Sequence, residues 1–263
     1  MKRDPILGLQ EHYKEALEHF DKNQIVGLFL QGSQNYKLDY EGSDIDTKLV
    51  VAPTFEDIAR LRKPVSTTHV RANDEHIDFK DVRMYMGEFE KQNINFVEIL
   101  FTPYFSINQT YKEQWNRLVA RREDIARMNP YRAVKSMKGM GAEKFHAMEH
   151  YYESKLPVLA RFGYDPKQLS HLVRLEDFLG RYIAGETFES CLIPRDCEHI
   201  VAIKKGYYDL ETARELAKST MERINQMEKE YCDSHKPLVN QEVKELLEDV
   251  QVEIMRIALK ESL

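Results

Sequence analysis

The sequence predicts an α/β (α+β) protein in which a small mixed sheet comes first and an all-helical part follows. Three observations carry this. Residues 25–30 and 47–51 are short apolar runs bounded by turn residues, the pattern of buried strands. Residues 66–71 and 76–80, joined by Ala72-Asn73-Asp74-Glu75, read as a strand pair with a turn between them. From Thr110 onward the pattern is almost wholly helical, punctuated by Pro130, Pro157, Pro166, Pro194 and Pro237.

Taken in order, residues 5–21 read as an amphipathic helix, with Ile6, Leu9, Tyr13, Leu17 and Phe20 at helical spacing. The first strand follows. After the second, Thr54 is placed to cap a short helix through Arg62, and Asp81 to cap one running to about Gln92. Residues 95–101 form an apolar run ending at Pro103 and are expected to be the next strand. A soft domain boundary falls near 105–110, giving units 1–108 and 109–263. The last two helices carry continuous stripes, Leu210 to Met227 and Val239 to Ala258, and are expected to pair antiparallel through residues 233–237.

The chemistry-bearing residues concentrate after the first strand. Gly32 permits a tight turn, and Ser33 adds a hydroxyl and a backbone N–H. Asp44-Ile45-Asp46 then opens the next strand; alternation puts both acids on one face and Ile45 in the core. Two carboxylates so placed repel unless a cation lies between them, and Mg²⁺ suits one or two carboxylates plus substrate phosphates. Asp78, between Ile77 and Phe79, offers a third acid.

Gly-Ser, a short connection, Ser-Asp-x-Asp at a strand head and a third strand carboxylate together resemble the DNA polymerase β-like nucleotidyltransferase superfamily. Residues 91–103, 163–167 and 171–175 look like a bacterial and phage branch of it, so the resemblance covers about residues 25–186. It implies a nucleotidyltransferase domain followed by a helical domain closing the cleft. It implies transfer of a nucleoside monophosphate from an NTP to an acceptor hydroxyl on RNA, protein or a small molecule, with release of pyrophosphate. By the same resemblance two Mg²⁺ ions would lie on Asp44, Asp46 and Asp78. Asp78 would help to deprotonate the acceptor, and Gly32 and Ser33 would meet the departing phosphates. The alternative is a catalytically silent nucleotide- or protein-binding module of the same fold.

Asp165-Pro166 is a good helix start, and Lys167, His171 and Arg174 share one face of that helix with Arg181 beside them. The resemblance lands here, so Lys167, His171 and Arg174 are expected to bind the nucleotide, with a protonated His171 strengthening binding at slightly acid pH. Glu176 falls within the apolar arc, where the pattern gives it no role beyond meeting a buried partner such as an arginine of a neighbouring helix. Lys48 and Lys80 share the strand faces of Asp46 and Asp78; a phosphate contact and a compensating ion pair are equally consistent. Lys48 departs from the small or apolar residue that the resemblance implies. Tyr36, Lys37 and Tyr40 are loop residues suited to stacking on a base, and Arg132, Lys135 and Lys138 begin another helix. His146-Ala147-Met148-Glu149-His150 matches the H-x-x-E-H of zinc peptidases, with both histidines on one helix face; no second peptidase motif accompanies it.

Composition bounds the rest. The 263 residues are 42% hydrophobic and 31% charged, with a net charge of -6, which argues against a long nucleic-acid footprint. The N-terminus has no apolar signal-like run, and no stretch approaches the roughly 20 apolar residues of a membrane span. Three cysteines, Cys191, Cys197 and Cys232, lack metal-type spacing, so a reduced, cytoplasmic protein without membrane contact is expected.

Overall fold

The computed structural model describes residues 2–151 and 153–262. Along the chain run α1 (Pro5–Ala16), β1 (Ile25–Gln31), β2 (Asp46–Val51), α2 (Phe55–Ala59), β3 (Ser66–Val70), β4 (His76–Asp81), α3 (Val82–Glu90), α4 (Ile94–Val97), β5 (Phe105–Ile107), α5 (Lys112–Ala120) and α6 (Arg122–Ala126). Then come α7 (Pro130–Ala147), α8 (Leu156–Phe162), α9 (Pro166–Ile183), α10 (Phe188–Leu192), α11 (Cys197–Lys204), α12 (Leu210–Ser234) and α13 (Gln241–Glu261). The protein is α+β. Among the described residues no helix is long and apolar enough to cross a membrane.

Two compact units divide these elements. One comprises residues 1–35, 39–129 and 239–263; the other comprises 36–38 and 130–238. The first therefore extends past the expected boundary at 108 and recovers α13 from the far end of the chain. A change of composition towards helix is not a change of unit: Trp115 of α5 stacks on Phe29 of β1, ring centroids 4.5 Å apart.

The sheet order is β3-β4-β2-β1-β5. β2 and β4 run parallel, and the other neighbours are antiparallel. One face, with Leu28, Leu30, Leu49, Val51, Ile77 and Phe79, forms a core with Leu9 and Ala16 of α1. The inward residues of α1 are Gly8, Leu9, His12 and Ala16, whereas Ile6, Leu7 and Leu17 are exposed. Of the expected stripe, Leu9, Tyr13 and Phe20 pack on this core, while Ile6 and Leu17 face solvent.

Local signals at helix starts hold well. Thr54 and Asp57 form a reciprocal capping box. Asp81 caps α3, and Asp165 caps α9 with Pro166 in the first turn. The 66–71 and 76–80 runs are the antiparallel pair β3 and β4. Residues 95–101 are not a strand: α4 passes into a 3₁₀ turn, Glu98–Leu100, and β5 follows beyond Pro103. Asn93 caps α4 through Asn95 N–H, which commits this short apolar run to a helical start.

The two helices expected to pair, α12 and α13, fall in different units. Two apolar stripes joined by a turn do not specify each other as partners. In the second unit α12 packs on α7 and α9. In the first, α13 packs on α5 and α3, with Arg117–Glu253 at 2.6 Å, Arg121–Glu242 at 2.8 Å, and Asn240 N–H donating to Met128 O at 2.8 Å.

Candidate functional site

The face of the sheet away from α1 is where β2 and β4 bring charge together. Parallel register sets Lys48 opposite Asp78, so alternation puts Asp46, Lys48, Asp78 and Lys80 on that face. Gln31 is opposite Asp46 and Phe29 opposite Lys48. Gly32 follows at φ +101°, a conformation that favours glycine. An added Cβ there meets nothing within 4 Å, so the backbone angle rather than crowding by the protein calls for glycine.

Ser33 begins a short 3₁₀ turn, Ser33–Tyr36. Gln34 Nε2 donates to Asp44 O at 2.8 Å, while Asn35 is tied to Leu30 O and Thr102 Oγ1 at 2.9 and 2.7 Å. The Gln34 bond lashes the Gly-Ser turn to the acid-bearing segment, and the Asn35 bonds tie it to the end of β1 and to Thr102. Asp44 itself precedes β2, which starts at Asp46, so strand alternation does not orient it.

Ile45 fixes that segment. Its side chain is wholly buried in the core, and its N–H donates to Glu75 Oε1 at 3.0 Å. Glu75 is only 2% exposed. It also accepts from Arg71 at 2.7 Å, Asn73 at 3.0 Å and His12 Nε2 at 3.1 Å, and pairs with Arg3. His12 Nδ1 in turn accepts from Thr47 Oγ1 at 2.8 Å. Burial, then the charges of Arg71 and Arg3, hold the His12 pKa down at about 4, so the ring is neutral near pH 7. Sequence reasoning missed both Glu75 and His12. The available signal was the i, i+3, i+7 placement of Leu9, His12 and Ala16.

On the charged face, Asp46 Oδ1 accepts from His76 N–H at 2.9 Å and lies 3.2 Å from His76 Nδ1. Lys48 is 4% exposed; its Nζ is 3.2 Å from Asp78 Oδ2 and 4.1 Å from the centroid of the Phe96 ring. Lys80 Nζ stands 4.6 Å from the same ring and donates to Ser66 Oγ at 3.3 Å. Burial lowers the Lys48 pKa, opposed by the charge and hydrogen bond of Asp78; Lys80 lowers it further and Asp46 raises it. Of the two roles open to Lys48, the ion pair is the one formed.

Asp44 and Asp46 have the oxygen chemistry that Mg²⁺ takes. Asp78 carries an ammonium against it instead. Among the described residues, no group of three or more His, Cys, Asp or Glu side chains gathers as metal ligands.

In the helical unit, Arg174 is 6% exposed and its guanidinium lies 3.9 Å from the Tyr36 ring centroid, so it is not part of a solvated stripe. Tyr36, 4% exposed, is correspondingly a packed residue rather than an exposed loop aromatic. Lys167 and His171 are half-buried. Burial, then the charges of Arg174, Lys167, Lys144 and Lys204, push the His171 pKa well below its usual value. Arg181 serves the fold: it donates to Ile193 O and Ser190 O, both at 2.7 Å, and pairs with Glu186 at 2.8 Å. Glu176 meets Arg223 of α12, a half-exposed arginine rather than a buried one.

The zinc-peptidase pattern lacks its helix. α7 ends at Ala147, leaving Glu149 and His150 beyond it, and Glu149 is engaged by Arg214 at 2.6 Å. The chain matches no protein-family model, and no curated protein matches it significantly.

Proposed function

We propose that the sheet unit is a magnesium-dependent nucleotidyltransferase acting on a nucleoside triphosphate. The observation that carries this reading is the same-face placement of Asp46 and Asp78 on adjacent parallel strands, beside the Gly32-Ser33 turn that is tied to Asp44. An acceptor hydroxyl oxygen attacks the α-phosphorus, the bond from that phosphorus to the bridging oxygen breaks, and pyrophosphate leaves. Asp78 takes the hydroxyl proton. The backbone N–H and hydroxyl of Ser33 donate to the departing phosphates. Asp44 and Asp46 would hold magnesium, which would supply charge neutralisation for the triphosphate. In the helical unit, Arg174, Lys167, Lys144 and Lys204 around His171 are a basic group suited to a polyphosphate.

A second reading, a nucleotide-binding module without transfer, is favoured by the Lys48–Asp78 pair, which neutralises one of the three acids. Incubating the protein with each labelled NTP and cell RNA, cell protein or a metabolite extract separates the two. Transfer predicts label in one fraction, lost in Asp46→Asn. NTP binding with no labelled product in any fraction supports the silent module.

A further inference from the structure

We propose that Lys48 is the resident cation of the charged sheet face, standing in for one of two divalent ions, so that the sheet unit takes a single divalent ion on Asp44 and Asp46. This rests on the nucleotidyl-transfer reading and narrows it. Asp78 and Asp46 differ in what holds them. Asp46 accepts from the backbone and ring of His76, an exposed residue. Asp78 faces a buried ammonium on the neighbouring strand, 3.2 Å away and opposite it in register. A buried lysine is retained where a partner compensates its charge, and Asp78 is that partner.

The pair is also built in. Phe96 lies against Lys48 Nζ at 4.1 Å, and β2 carries the lysine from the middle of the sheet. Lys80 Nζ, 4.6 Å from the same ring, adds a second positive charge near it. A divalent ion on Asp78 would meet both ammoniums at close range, and like charges in a partly desolvated site repel strongly. The same ammoniums can supply positive charge to a phosphoryl group, which requires neutralisation and positioning more than covalent help.

The test counts ions directly. The full chain is titrated with Mn²⁺ alone, and bound ion is counted from the electron paramagnetic resonance signal of free Mn²⁺. One tightly bound Mn²⁺ per wild-type chain is expected, none in Asp46→Asn and two in Lys48→Met, which frees Asp78. Asp78→Asn, which keeps the shape of the site, should retain one; this arm stands even if Lys48→Met does not fold. Two ions in the wild type, one in folded Lys48→Met, or fewer than one in Asp78→Asn would overturn the proposal. No bound Mn²⁺ in the wild type would overturn it together with the magnesium-dependent reading, whereas a wild-type count of two would leave that reading standing.

Discussion

The two faces of the sheet are made from alternate residues of the same strands, yet they are built on different physics. Towards α1, Leu28, Leu30, Leu49, Val51, Ile77 and Phe79 form an apolar core. Towards the other side, β2 and β4 present Asp46, Lys48, Asp78 and Lys80, set beside the buried Phe29 and Val50. The first face gains stability from burial, which is non-directional. The second holds charges in fixed geometry, where a lost partner matters more than a lost area. The Glu75–His12–Thr47 network couples them, because it sits on the core side and bonds to the backbone between Asp44 and Asp46.

The sharpest way to break this contrast is at Glu75. Glu75→Ala leaves Arg3 and Arg71 facing a buried gap, and should cost about 3–5 kcal/mol by analogy with broken buried ion pairs. Urea denaturation measures the loss; a change under about 1 kcal/mol would show that the network does not anchor the acid segment.

Leu49→Ala tests the apolar face alone. It should lose roughly 2–5 kcal/mol, the usual range for a buried leucine. If its Mn²⁺ count under folding conditions equals the wild type, the two faces are separable; a lost ion would mean that core packing sets the charged geometry.

Acid should find His12 next. Its folded pKa, about 4, lies below the ordinary 6.5. The unfolded chain therefore binds the proton more readily: the stability at stake is fully present above about pH 6.5 and falls away as the pH drops towards about 4. The whole shift corresponds to about 3 kcal/mol. Comparing unfolding midpoints at several pH values for wild type and His12→Gln isolates it; identical slopes between pH 4.5 and 6.5 would reject the assignment.

Asp46→Asn should have the smallest effect on stability, within about 0.5 kcal/mol, because an amide oxygen can still accept from His76 N–H. Magnesium-dependent NTP binding should nevertheless be lost. Wild-type binding in a folded Asp46→Asn protein would detach this face from nucleotide chemistry.

What could be read in advance follows the range of the interaction. The caps at Thr54, Asp81 and Asp165 depend on residues two or three positions away, and each forms as the local pattern implies. Strand alternation likewise puts Lys48 on the face of Asp46 and Lys80 on that of Asp78. Register between strands lies further off: nothing local tells that Lys48 will stand opposite Asp78. Glu75 and His12 were illegible for the same reason, since a charged residue at a turn and a histidine in a helix usually face water. Residues 95–101 misled because so short an apolar run fits a helix turn as well as a strand. The stripe of Lys167, His171 and Arg174 was legible as a helix face, but the burial of Arg174 against Tyr36 depends on a residue far away in sequence.

The position of α13 has a consequence for how the protein is made. Val243, Leu247, Val250, Ile254 and Ala258 complete the sheet unit, yet they leave the ribosome after the whole of α7–α12. Domains tend to fold in the order of synthesis. Here the strands emerge first and must wait, with the surfaces of α3 and α5 that receive α13 still uncovered, while the intervening helices are translated. Of the two units, the sheet unit is therefore begun before the helical one and completed after it. In the nascent chain its unfinished apolar surface is a target for chaperones and proteases until α13 docks.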